Sequence, residues 1–546
     1  MDRRKTGASA ELYLKKGLQA GSITVFMSLL LMIIASLLFT LLEGSRYMML
    51  GMTAVINTQS VTESMFAEYQ VPAYRNYHLF MMDSGYGTGE LLLSKVHARM
   101  QELGQENLNP TVRGIGRYNN FLQMNVTDSS VIRYELATDQ NAAPLLEQMS
   151  QIMKKETVTD LAQQAYQKVT DVEQSGSQGK KTDGYLDGAL DMIEQAKKEV
   201  KEADDAADRQ EAGGIRRMQA TFENKRNRRM RTVVSDSSEQ EVENPMDQVK
   251  SAKSSPLLSQ ILSGSGGISA KQIAKEDAVE RRILNTGNQE GSLSAGVLDK
   301  LLILQYLKKY TANYQHKVAV PHALAYEQEY LLCGKYSDEE NLEKVAERLL
   351  LVREGINFAY LMTDHAKKEE AFVMASAIAA AAAIPGAVKA IQMGILASWA
   401  YAESIVELRM LFSGKKIAAV KSAEHWNVSL PQTASVLFQT SVKAQEVKNG
   451  LDYEDYLHAF LALESLSKIG SRFANVLEKN IRLYAGCEQV KLDCMMTAME
   501  AEHAYHANQV FLTFVSIGRR SENGYQFEKR YKFSYTDDPD SNADTD

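Results

Sequence analysis

Residues 22–42, SITVFMSLLLMIIASLLFTLL, carry no charged side chain. As a helix, these 21 residues rise roughly 30 Å, the thickness of a bilayer's hydrocarbon core. A secretory h-region is shorter, about 7–15 residues. Leu42-Glu43-Gly44 also lacks a small-x-small cleavage pattern. A core helix of a soluble protein this long shows a polar face. The segment 21–43 therefore reads as a retained transmembrane helix. Arg3, Arg4, Lys5, Lys15 and Lys16 outweigh Asp2 and Glu11 in the tail 1–20. Positive flanks stay in the cytoplasm, so a single-pass protein of the cell membrane is expected, with the bulk of the chain extracytoplasmic. Ser22, Thr24, Ser28, Ala35 and Ser36 are the small or polar positions of the span, where membrane helices approach closely.

Composition bounds the remainder. A net charge of −8 leaves no overall nucleic-acid footprint. Nine prolines in 546 residues favour long helices. Residues 44–211 read as a stalk, strand and helical N-terminal part of an ectodomain. Within it, MFAEYQVPAYRNYHLFMMD (65–83) is an aromatic packing stripe. FLQMNVTDSSVIRYELATD (121–139) is β-branched and partly alternating, which predicts one or two strands. The helical period returns from Ala143 to Val172.

Residues 212–297 are rich in Ser, Gly, Asn and charge, the composition of a flexible linker. An apolar cluster at 244–262 is placed to dock back on the body. Residues 298–507 read as a helical body, with Ser337 as an N-cap ahead of three acids. In 508–536, NQVFLTFVSIG and YQFEKRYKFSY flank Asn523-Gly524 and predict a hairpin. Tyr525, Phe527, Lys529, Tyr531, Phe533 and Tyr535 share one of its faces. Residues 537–546 form an acidic tail, read as disordered. The fold class expected is α+β, mainly α, with a small antiparallel sheet built from strands near 121–138 and 508–535. Ala371–Val388 is also free of charge. Alanine gives little transfer energy and Pro385-Gly386 interrupts the run, so two close-packed core helices fit better than a second membrane span.

Motifs for chemistry are sparse. Glu500-Ala-Glu502-His503-Ala-Tyr-His506 is the densest group of metal-ligand types, and a surface pair is the reading preferred over a metal site. GSQGKKT (176–182) lacks the first glycine of a phosphate loop, and no G-x-S-x-G elbow occurs. No catalytic, cofactor-binding or metal residue is assigned, and no small-molecule substrate is evident. The cysteines Cys333, Cys487 and Cys494 are odd in number. Cys487 and Cys494 are a candidate disulfide beside the commoner reading as buried thiols. The basic run Arg216–Arg231 is either solvated surface or a contact for anionic lipid or wall polymer.

Several segments together carry a resemblance. GSITVFMSLLLMIIASLLFTLLEGSRY resembles the N-terminus of TadE/TadG-like pilus proteins of Gram-positive bacteria. MFAEYQVPAYRNYHLFMMD, NPMDQVKSAKSSPLLSQIL, EYLLCGKYSDEENLEKVAERLLLVREGINFAYLMTD and WAYAESIVELRMLFSGKK look like one uncharacterised family, domain of unknown function 5702. That family has no established activity, so no residue roles carry over. The lack of catalytic motifs points to a non-enzymatic structural component, and the resemblance implies pilus assembly or surface attachment, as a pseudopilin or assembly factor of a tight-adherence (Tad) pilus or secretion system. Its partners would be the lipid bilayer and other pilin or Tad assembly subunits. Gly21-Ser22 sits where prepilin peptidases cut type IV pilin precursors, but Phe26 stands where pilins carry a glutamate. The alternative expectation is an envelope binding or sensor protein unrelated to pili.

Overall fold

The computed structural model describes residues 6–109, 122–156, 245–262, 267–289, 296–381, 388–438, 446–512 and 524–536, residues 420 and 449 excepted, together with two short strands at 111–112 and 116–117. The basic run 216–231, the segment 176–182 and the acidic tail lie outside these residues. The fold is α+β and mostly helical. It divides into two compact units, one of residues 1–148, 283–293 and 484–546, the other of residues 149–282 and 294–483.

The first unit is built on α1 (Thr6–Ala67), an unbroken helix of 62 residues, roughly 90 Å long. After it come α2 (Val71–Tyr77), β1 (Met82–Asp83) and α3 (Leu93–Leu108), then the paired short strands β2 (Thr111–Val112) and β3 (Gly116–Arg117). β4 (Met124–Leu136) and the start of α4 (Asp139–Glu156) follow, with β5 (Met495–Ala507) and β6 (Tyr525–Ser534) closing the unit. β5 is the central strand, with β4 antiparallel on one side and β1 and β6 antiparallel on the other.

Alternation along β5 decides which face is core. Met499, Ala501, His503, Tyr505 and Ala507 are buried, whereas Glu500, Glu502, Ala504 and His506 are half-buried on the opposite face. The inner face packs on α1 and α3 through Val61, Met65, Phe66, Val96 and Met100, and through Leu50 and Ala54. The aromatic face of β6 lies against the same helix. Phe527 sits 5.4 Å from Tyr47, Phe533 sits 4.7 Å from Phe66, and Tyr531 donates to Glu63 at 3.1 Å. On the outer face Arg133 meets Glu500 at 2.7 Å and Arg530 meets Glu502 at 2.6 Å.

The second unit is helical: α5 (Pro245–Lys253), α6 (Leu257–Ile261), α7 (Val297–Tyr310), α8 (Glu327–Cys333), α9 (Asp338–Thr363), α10 (His365–Ala381), α11 (Val388–Phe412), α12 (Thr433–Phe438), α13 (Tyr453–Leu463) and α14 (Leu466–Ile481). α11 is its axis, burying Ile395, Trp399, Ala402, Ile405 and Leu408. α5, α6, α9, α10 and α12 pack around it. Ser337 caps α9 by accepting from the Glu340 amide at 3.3 Å. The alanine-rich run ends α10 and leads into α11. Ala371, Ala375 and Ala379 are buried at steps of four, so small side chains let the two helices pack closely.

Three boundaries differ from the sequence expectation. The linker 212–297 is not free of structure, because its described part holds α5 and α6 and buries Val249, Leu257, Leu258, Ile261 and Val279. The helical body does not reach 507, since helix ends at Ile481 and 495–507 is the central strand. Of the hairpin expected over 508–536, residues 513–523 lie outside the described residues. Residues 508–512 are not strand, and β6 instead pairs back with β5. MMTAMEAEHAYHA is rich in helix formers, yet its inner-face positions Met499, Ala501, Tyr505 and Ala507 are apolar or aromatic and, with His503 bonded to Ser129, fit a pleated core layer. Tertiary packing overrides propensity here.

Candidate functional site: a two-part N-terminal helix

The candidate site is α1, whose surface changes character along one continuous helix. Ile23–Leu42 is exposed apart from half-buried Ala35, Ser36 and Phe39. It lies in the described helix Ile23–Ala67, which is long and apolar enough to cross a membrane, with a mean hydropathy of 2.7 over its most apolar 18 residues. Three of its hydroxyls are satisfied within the helix: Ser28 donates to the Val25 carbonyl at 2.8 Å, Ser36 to Ile33 at 3.1 Å and Thr40 to Ser36 at 2.7 Å. Such internal bonding is what a bilayer demands of a polar group. Thr24, Ser28 and Ala35, four and seven apart, share a face. Ser36 turns about 100° away from Ala35. Gly21 and Ser22 lie in α1, in the part whose side chains are outside the description.

Immediately past the apolar run stands a buried ion pair. Arg46 Nη1 donates to Glu43 Oε1 at 2.8 Å, and both side chains are 2 % exposed. Glu43 Oε2 accepts from the amides of Phe511 at 2.7 Å and Val510 at 3.3 Å. Arg46 Nη2 donates to the Leu122 carbonyl. Chain entering β4 and chain leaving β5 are thus both tied to one turn of α1. The i,i+3 opposite charges after an apolar run were a visible signal, but only the fold shows what they hold.

Farther along, polar groups line the layer between helix and sheet. Tyr505 Oη pairs with Thr58 Oγ1 at 2.8 Å and accepts from Asn57 Nδ2 at 3.4 Å. Asn57 also donates to the Gly104 carbonyl at 3.2 Å. His503 Nδ1 pairs with Ser129 Oγ at 2.8 Å, and burial pushes this imidazole down to about 4. The strand separates the two histidines of the His-x-x-His motif. His503 is buried on the inner face and His506 lies on the outer one, so they do not converge on one ion. No metal-competent cluster of His, Cys, Asp and Glu is found among the described residues. Cys333, Cys487 and Cys494 are free thiols, so the Cys487–Cys494 bridge is not formed. Cys494 is buried, and Asn285 Nδ2 lies 3.7 Å from its sulfur.

In the second unit, ionisable side chains close on one another. Arg353 grips Glu407 with two bonds of 2.9 and 2.7 Å. Lys421 bridges Glu407 at 2.7 Å and Glu403 at 2.5 Å. Glu403 also accepts from the Asn427 and Val428 amides at 3.1 and 2.8 Å. Burial raises the Glu403 carboxyl, against the pull of Lys421. Burial opposes ionisation of Glu407 too, but Arg353 and Lys421 outweigh it and hold that group low. Two cations and two anions neutralise each other, the condition under which buried charge is tolerated.

A second knot joins α8 to its loop. Glu327 accepts from His322 at 2.7 Å and from the Ala312 amide at 2.9 Å. Glu329 accepts from Tyr453 Oη at 2.7 Å and the Tyr314 amide at 2.8 Å. A cleft of about 860 Å³ on this unit is lined by Lys275, Arg281, Lys335, Glu280, Glu340 and Tyr336 among others. Its Arg281, Tyr336 and Glu280 bond to one another in series.

Fold and site thus define a class: a mostly helical α+β chain whose N-terminal helix has membrane-spanning length and continues as the backbone of a small sheet. The chain belongs to the family of unknown function DUF5702, whose model matches residues 235–507, half of its length. That match takes in the described helices of the second unit and the central strand of the first. No curated protein and no solved structure matches the chain.

Proposed function

We propose that this is a non-enzymatic, membrane-anchored structural protein, a TadE/TadG-like pseudopilin or assembly factor of a Tad-type pilus or secretion system. Its N-terminus is cytoplasmic and its bulk extracytoplasmic. The supporting observation is the division of α1: one unbroken helix, bare and apolar over Ile23–Leu42, then clamped to an antiparallel sheet from Glu43 onward. Such a helix transmits position from the bilayer to the outer body without a joint. Anchoring is by apolar burial in lipid, and assembly is by close approach of helices at small positions.

Two experiments test this. Ser28→Ile with Ala35→Leu fills the small face while keeping the span apolar, so it weakens co-isolation with pilin or platform subunits and leaves membrane insertion intact. Unchanged co-isolation counts against the mechanism. Shearing of intact cells, with mass spectrometry of filaments and membranes separately, reads the processing state. A peptide beginning at Ser22 in filaments marks a processed minor pilin, and an intact N-terminus found only in membranes marks a fixed assembly factor.

A further inference from the structure

The bare surface of α1 is longer than a bilayer. Residues 23–42 account for roughly 30 Å, a whole hydrocarbon core. The exposed face continues without a charge to Gln59, about 25 Å farther. Glu43 and Arg46 fall in that stretch but are buried against each other. Met48 is 73 % exposed, Met52 66 %, Val55 46 % and Ile56 63 %. The first exposed charge, Glu63, is held by Gln59 at 2.9 Å.

Lipid does not fit this second stretch. On the opposite side of the same turns Leu50 and Ala54 are buried under the sheet, and Tyr47 packs on Tyr525 and Phe527. The outward residues of β6, among them Glu528, Arg530 and Lys532, are exposed and charged. A bilayer deep enough to cover Met52 would reach Glu528, and one deep enough to cover Gln59 would engulf Arg530 as well, since Phe527 lies beside Gly51 and Tyr531 beside Glu63.

The spacing identifies what does fit. Leu41, Ser45, Met48, Met52, Val55 and Gln59 recur at alternating steps of four and three, the 3.5-residue period of a coiled-coil seam. The same series runs back through Leu38, Ile34 and Leu31 into the membrane span, so the seam is continuous across the bilayer surface. Every copy enters the membrane in one orientation and at one depth. A parallel neighbour at matching height therefore presents the same residues in register, and unbranched methionine adapts to a facing copy of itself.

We propose that the outer face of α1 from Leu41 to Gln59 is the seam of a parallel coiled coil with a second copy of this chain, standing on the extracytoplasmic side of the membrane. The inference rests on the membrane-anchored reading above. The test uses the full chain in native membranes. Under mild oxidation, Met48→Cys and Met52→Cys give disulfide-linked dimers, whereas Glu528→Cys on the outer face of the sheet and the wild-type chain with its native thiols do not. Two differently tagged copies co-purify, and Met48→Lys with Met52→Lys abolishes this while the protein stays in the membrane fraction.

The proposal is overturned if no dimer forms and Met52→Cys reacts with a membrane-impermeant maleimide as fast as Glu528→Cys, which means open water. It is also overturned if only a lipid-soluble reagent reaches that thiol, which means lipid covers it. Release of the wild-type chain from membranes by a carbonate wash would instead refute the anchor itself.

Discussion

Arg353 offers the sharpest test of how the second unit is held together. Its guanidinium is fully buried and donates twice to Glu407, once to the Ala418 carbonyl at 3.1 Å and once to Tyr456 Oη at 3.0 Å. Arg353→Met keeps most of the volume and removes one positive charge from a neutral set of four. Breaking a buried pair from one side costs about 3–5 kcal/mol. Glu407 keeps Lys421 at 2.7 Å and Asn357 at 2.8 Å, so the lower end, about 3 kcal/mol, is expected. Arg353→Met with Glu407→Gln removes one charge of each sign and leaves the Lys421–Glu403 pair intact. It recovers most of the loss, to within about 1 kcal/mol of wild type.

The sign of the pH effect separates this account from simple loss of packing. In the wild type Glu407 is held low, so its stabilisation is present above the unfolded value of 4.5 and is lost as pH falls through the folded one. Without Arg353 the largest of the charges opposing burial is gone, so this carboxyl rises relative to the wild type and the variant loses less on acidification. The gap between wild type and Arg353→Met therefore narrows as pH drops from 7 toward 4. Hydrogen exchange of α9 and α11 amides in the full-length protein measures both the cost and its pH dependence. A single-variant loss below about 1 kcal/mol, a double variant no better than the single one, or a gap that widens on acidification would each refute the reasoning.

Three further outcomes are expected. Burial pushes Glu329 up to about 7, against the bonds from Tyr314 and Tyr453. Folded stability therefore declines as pH rises from 4.5 to 7, by an amount on the order of 3 kcal/mol, and Glu329→Gln flattens that slope in exchange measured on α8. Tyr505→Phe removes a hydroxyl bonded to Thr58 and Asn57 and lowers protection of the β5 amides by about 1 kcal/mol. The chain denatured without reductant takes up maleimide at all three thiols, Cys333, Cys487 and Cys494, and uptake at Cys333 alone would restore the discarded disulfide.

The legible parts of the fold were those encoded locally. Period and length announced α1, the β-branched run announced β4, and the aromatic alternation of YQFEKRYKFSY placed β6 and its inner face. Ser337 was readable as a cap because the capping bond is made three residues away. The strand that organises the sheet was not legible. MMTAMEAEHAYHA favours helix by composition, and only the waiting edges of β4 and β6 make it extended. The ionic knots were equally silent, since Arg353 and Glu407 are separated by 54 residues and neither is unusual where it stands. The small and polar positions of the apolar run were visible in the sequence, but the exposed apolar face beyond Leu42 emerged only when the sheet covered the other side of the helix.

Placing the central strand near the end of the chain sets a timetable for biosynthesis. Asn57 and its partner Tyr505 are 448 residues apart. At roughly 5–20 residues per second, α1 leaves the ribosome between about 20 seconds and a minute and a half before β5 exists. For that interval the side of α1 that ends under the sheet, Leu50, Ala54, Val61 and Met65, has only α3, β1 and β4 to pack on and lacks the β5 residues that complete its cover. The helical second unit can consolidate meanwhile, because its own segments arrive in between. The protein must therefore finish its middle before it can complete its first unit. A ribosome that stalls between β4 and residue 495 would leave a chain whose long first helix carries an incompletely covered apolar face, the kind of product that quality control is built to find.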